Sequence, residues 1–126
     1  MKNIVLAIVL LYSINAYAEI CPGSPANTAS ECLLKQLATE EVKLIKSIKN
    51  LQPLKPVNDP ELGKTAHAML ISSQQKWLVY RNGHCDYVGF IEGGVQQYKN
   101  ISMLQCRLLM TEQRLQEIDS SRQNYE

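Results

Sequence analysis

The sequence predicts a small all-α protein: a bundle of three main helices stapled by disulfides. Three observations predict it. Apolar residues recur at three-four spacing along three long stretches, and no stretch shows the alternation of a half-buried strand. Proline- and glycine-rich breaks separate those stretches. Four cysteines, Cys21, Cys32, Cys85 and Cys106, occur in a chain of only 126 residues, an even count that in a small exported chain reads as two bridges.

Export is predicted by the first eighteen residues. Lys2 gives a positive start, Ile4 to Leu11 form a short apolar run, and Ala16-Tyr17-Ala18 supplies the small-x-small pattern a signal peptidase reads. Residues 1–18 therefore read as a signal peptide cleaved before Glu19, and residues 19–126 as a single domain. The apolar run is too short for a stable membrane anchor. Lys2 leaves with the leader, so twelve basic residues remain against twelve acidic ones. That balance argues against nucleic acid or an anionic membrane as partner.

The first helix opens at Thr28-Ala29-Ser30-Glu31, which has the form of a capping box. Its stripe reads Leu34, Leu37, Ala38, Ile45 and Ile48, widened by Leu33, Leu44 and Leu51. Lys35, Lys43, Lys46 and Lys49 fall largely outside it and read as a solvated face. Pro53, Pro56 and Pro60 make a stiff connection, and Asp59-Pro60 restarts a helix with Asp59 as cap and Pro60 in the first helical position.

The inward face of the second helix reads Leu62, Ala66, Met69, Ser73, Trp77, Tyr80 and His84. Asn82-Gly83 is a turn dipeptide inside a long helical pattern, so it either ends this helix or is carried through it. Phe90 to Val95, with Gly89, Gly93 and Gly94, reads as a loop. The third helix runs from about Tyr98 to Ser121, with Ile101, Leu104, Leu108, Thr111, Leu115 and Ile118 as its core seam.

Cys106 sits nearly opposite that seam, beside Met103, Leu109 and Met110. The first half of the helix is therefore apolar all round and needs cover on every side. Four cysteines allow three pairings. Cys85–Cys106 is favoured because it would fold the glycine loop across this exposed side, with a homodimer contact as the rival cover. Cys21–Cys32 is then the other bridge, tying the Cys21-to-Ala29 segment to the first turn of helix one.

Catalytic and metal chemistry find little support. His84, Cys85 and Asp86 are consecutive, and neighbouring helical side chains diverge by about 100°, so they form no triad. On a continuous helix His67 lies roughly 25 Å from His84, too far to share a metal. Asp86, Glu92 and Glu112 could meet as carboxylates, but no spacing singles them out. Gly93-Gly94 lacks the context of a phosphate loop. The expectation is a non-enzyme without metal or cofactor. Trp77, Arg81 and Cys85, at i, i+4 and i+8, share one side, with Arg81 over the indole and Trp77 as the central core anchor.

Gln74, Trp77, Arg81 and Cys85, then the pair Gly93-Gly94, then Cys106, Thr111 and Arg114 stand in an order and spacing that resembles the LprI-type lysozyme inhibitor family. The early pair Cys21 and Cys32 also fits, and the match is best over about the last 60 residues. The resemblance implies a secreted or periplasmic helical domain with two disulfides and, for some members, inhibition of lysozyme. Gln74, Trp77, Arg81, Thr111 and Arg114 read as a structural motif.

The function expected is binding and occlusion of a peptidoglycan hydrolase, with Glu92, Gly93, Gly94, Val95 and Tyr98 as contact surface. Two alternatives stand beside it: an immunity protein against a cell-wall-degrading toxin, and an envelope assembly factor acting through a homodimer surface at Met103, Leu109 and Met110.

Overall fold

A computed structural model of the chain describes residue 21 and residues 26–51 and 60–123. The signal peptide and its cleavage point, the proline connection and the Asp59 cap lie outside the described residues. Three helices follow one another: α1 (Ala26–Leu51), α2 (Pro60–Ile91) and α3 (Gln96–Gln123). Both bridges pair as expected, Cys21 with Cys32 and Cys85 with Cys106.

The central helix is α3, which packs against both α1 and α2 while those two make no close backbone approach to each other. Its seam is the expected one, with Leu104, Leu108, Thr111 and Ile118 buried. The core has two apolar clusters. Leu33 and Leu37 meet Leu104 and Leu108, with Cys21, Ile101 and Met103 alongside. Leu44, Ile48 and Leu51 meet Ile118, with Leu70, Ile71, Trp77 and Leu115 alongside.

Several expectations are corrected. Helix α1 begins at Ala26, ahead of the capping box, so Thr28 and Glu31 lie inside the helix; Ala26 and Ala29 favour that extension. Its buried line is Leu33, Leu37, Leu44, Ile48 and Leu51, whereas Leu34 and Ile45 are more than half exposed and Ala38 faces solvent. Both lines are apolar, so periodicity alone does not choose between them. The leucines of α3 select the one spaced four, seven, four and three, close to the 3.5-residue repeat of a helix-helix seam.

Helix α2 is rotated from its expected setting. Of the face read as inward, only Trp77 is turned to the core; Leu62, Ala66, Met69, Ser73, Tyr80 and His84 are exposed. The bridge is the reason. Cys85 must meet Cys106, and at 100° per residue that brings Arg81 and Gly89, one turn to either side, onto the buried face. Trp77 is half-buried at the edge of the second cluster and is not the central anchor.

Asn82-Gly83 does not break the helix, which runs unbroken for 32 residues. Phe90 and Ile91 are helical, and the loop shrinks to residues 92–95. That loop does not fold across α3. The cover over Cys106, Met103 and Met110 is the last turns of α2 itself, with Met110 Sδ 3.6 Å from Cys85 Sγ. Close approach depends on Gly89, where an added Cβ would lie 2.8 Å from the Lys99 carbonyl oxygen and 3.0 Å from Met103 Cβ.

Candidate functional site

Between the two apolar clusters lies a polar layer centred on Arg81, a side chain only 5 % exposed. Its Nη1 donates to Thr111 Oγ1 on α3 at 2.8 Å and lies 2.8 Å from Glu41 Oε1 on α1. Its Nε and Nη2 donate to Asn82 Oδ1 at 3.1 and 3.0 Å. Thr111 in turn donates to the Arg107 carbonyl. The guanidinium thus meets partners from all three helices, as a buried cation must.

Trp77 sits between two cations, with Arg81 5.4 Å and Arg114 5.9 Å from its ring centroid. Arg114 donates to Gln74 Oε1 and Ser73 Oγ and pairs with Glu117. Gln74, Trp77, Arg81, Thr111 and Arg114 are therefore one connected network. It is built into the helix packing and offers little free surface to a ligand.

The α2–α3 tip is the opposite case. Phe90, Ile91, Val95 and Tyr98 are exposed, and so are Glu92 and Gly94. Gly93 and Gly94 take φ of 71° and 79°, the left-handed region that only glycine enters at no steric cost. Glu92 N–H still donates to the Val88 carbonyl, while Tyr98 and Lys99 N–H donate to Val95. The turn is thus closed by backbone bonds on both sides. Glu92 stands seven positions beyond Cys85, so the bridge holds the tip from about 10 Å away.

Lys99 Nζ lies 5.3 Å from the Phe90 ring centroid. Beside the tip, Asp86, Gly89, Phe90, Gln96, Lys99 and Met103 line a shallow groove of about 270 Å³. The contact residues read from the sequence, Glu92, Gly93, Gly94, Val95 and Tyr98, are brought together on this tip. Phe90 and Ile91 were missed because they read as loop; the i, i+3, i+4 spacing of Tyr87, Phe90 and Ile91 was the available signal that the helix continues.

The three carboxylates do not converge. Asp86 is bound to Arg107, Glu92 stands on the tip, and Glu112 faces α1, where burial and the Glu40 carboxylate raise its pKa against the opposing pull of Lys43. His84 stacks on Tyr80 at 5.7 Å. The Nδ1 of His67 is buried without a hydrogen-bond partner among the described residues. No group of three or more His, Cys, Asp or Glu side chains among the described residues could hold a metal.

The family model described as lysozyme inhibitor LprI matches residues 21–118. This span takes in both disulfides, the buried cation network and the glycine tip. The chain belongs to the LprI family. No curated protein and no solved structure matches it. Membership in a family of lysozyme inhibitors implies a protein partner such as lysozyme. It also accords with a chain built to present a surface, and no helix among the described residues is long and apolar enough to cross a membrane.

Proposed function

We propose that this chain is an exported inhibitor that binds a lysozyme-like peptidoglycan hydrolase and occludes its cleft with the α2–α3 tip. The observation that carries the reading is the tip itself: Phe90, Ile91, Val95 and Tyr98 exposed around Glu92, on a turn closed by backbone bonds and tethered through Cys85–Cys106. A preorganised turn enters a cleft with little ordering cost. Exposed aromatic side chains are the commonest anchors of protein interfaces, and Glu92 adds negative charge toward a basic target.

Export through the leader at residues 1–18 delivers the chain to an oxidising space where both bridges form. N-terminal sequencing of the exported protein is expected to begin at Glu19.

The test is the double substitution Glu92→Ala with Tyr98→Ala. Both side chains are exposed, so the melting temperature should stay put while inhibition of a sensitive lysozyme weakens tenfold or more, about 1.4 kcal/mol. An unchanged inhibition constant removes the tip from the contact surface. A pull-down across a panel of lysozymes, with oxidised and reduced protein, identifies the target and the dependence on the bridges.

A further inference from the structure

The face of α2 turned to solvent carries a stripe that the other described residues leave exposed. Leu62, Met69, Tyr80, Tyr87 and Ile91 are 58, 68, 61, 60 and 57 % exposed. At 100° per residue all five fall within about 20° of one line along the helix. Ala66, Ser73 and His84 fill the gaps between them, and His84 lies stacked on Tyr80. The strip is about 44 Å long.

We infer that this stripe is the interface of a homodimer, in which α2 of one copy packs antiparallel on α2 of the other. The spacing of the stripe is its own mirror. A two-fold axis between Lys76 and Trp77 sets Leu62 opposite Ile91, Ala66 opposite Tyr87, Met69 opposite His84 and Ser73 opposite Tyr80. Each tyrosine falls into the gap left by a small residue, while Leu62 meets Ile91 and the Met69 thioether meets the His84 imidazole.

A two-fold contact requires this self-complementarity, because the same patch serves both sides. Five large apolar side chains and the small ones between them present on the order of 700 Å² per copy, close to the ~800 Å² per partner of a standard interface. Met69, Tyr80 and Ile91 recur every eleven residues, the repeat of a nearly straight helix pair with slight right-handed coiling. The Lys76 side chains flank the axis and are long enough to reach water. The two glycine tips then project from opposite ends of the pair. This inference does not rest on the inhibitor reading; it covers Ile91 at the edge of the tip and leaves Phe90, Glu92, Val95 and Tyr98 open.

Sedimentation equilibrium of the full chain, exported and with both disulfides formed, tests it. The wild type is expected to be dimeric. Met69→Glu with Tyr80→Glu should weaken association at least a hundredfold, with helical circular dichroism unchanged and a melting temperature that no longer rises with protein concentration. Leu109→Glu, on the rival α3 surface, should leave the dimer intact. Lys76→Cys should crosslink to its own copy on oxidation, and Gln75→Cys, on the far side of the helix, should not. The inference is overturned by a wild type that is monomeric at every concentration, by a dimer that persists in the double variant, or by equal crosslinking at 75 and 76.

Discussion

Arg81 on α2 reaches Thr111 on α3 across 2.8 Å, between side chains that are 30 positions apart in the chain and both buried. The contact falls between the two apolar clusters. Leu108 and Ile118 lie on either side of Thr111, as Leu37 and Leu44 do of Glu41. A polar layer in that position sets the register of three helices whose apolar seams would otherwise tolerate sliding by a turn.

Thr111→Val keeps the volume and removes the hydroxyl, leaving a buried guanidinium short of one acceptor. The expected cost is about 1–3 kcal/mol, read from urea unfolding as a lower midpoint at unchanged slope. Arg81→Lys should fare no better, since an ammonium cannot reach Glu41, Asn82 and Thr111 in the planar arrangement of a guanidinium. Combining the two in a double-mutant cycle should give strong non-additivity. Additive costs would mean that the contact does not carry the register.

The features tied to covalent chemistry and fixed spacing could be read from the sequence. Cys21, Cys32, Cys85 and Cys106 paired as their positions suggested, and Trp77, Arg81 and Cys85 share a side because i, i+4 and i+8 must. The setting of α2 about its own axis was not legible, because its better apolar stripe faces out and its buried face holds Gln74, Arg81 and Gly89. Glu41 gave no signal as a partner of Arg81: it stands among Glu40 and Lys43 and reads as solvated. Its place between Leu37 and Leu44 was the available clue. Gly89, one turn beyond Cys85, could have been placed on the bridge face by the same arithmetic.

Two glycines of α2 should respond in opposite directions. Gly89→Ala drives a methyl into the Lys99 carbonyl oxygen and Met103 Cβ, both part of the α3 backbone or rooted on it, so the helices must separate at a cost of about 1–3 kcal/mol. Gly83 is exposed in the helix interior with nothing within 4 Å of an added Cβ. Gly83→Ala should therefore stabilise by about 0.4–1 kcal/mol. Thermal unfolding of the two single variants checks both signs.

The bridges differ in span, 11 residues for Cys21–Cys32 and 21 for Cys85–Cys106. In the chain-entropy model each closure contributes about 3 kcal/mol, and near-doubling the span adds about 0.6 kcal/mol. Replacing Cys85 and Cys106 together by alanine should thus cost more than replacing Cys21 and Cys32, and more again because Cys85 is fully buried and the tip loses its tether. Denaturant unfolding gives the first comparison. Inhibition measured beside it should fall further for the Cys85/Cys106 pair than for the Cys21/Cys32 pair.

Glu112 supplies a pH dependence with a definite sign. Burial and the neighbouring Glu40 raise its pKa, with Lys43 opposing, so the folded protein holds this proton more readily than the unfolded chain does. Below the ordinary glutamate pKa both states are protonated and the group costs nothing. As pH climbs through that value and on through the raised folded one, ionisation in the fold is penalised and stability falls, then levels off. Glu112→Gln removes that penalty. The variant should match wild type in acid and exceed it at neutral pH by less than about 1 kcal/mol, since the site is only partly buried. Unfolding curves from pH 3 to 8 decide it: a glutamine variant that is less stable at neutral pH would mean that Lys43 outweighs burial and Glu40.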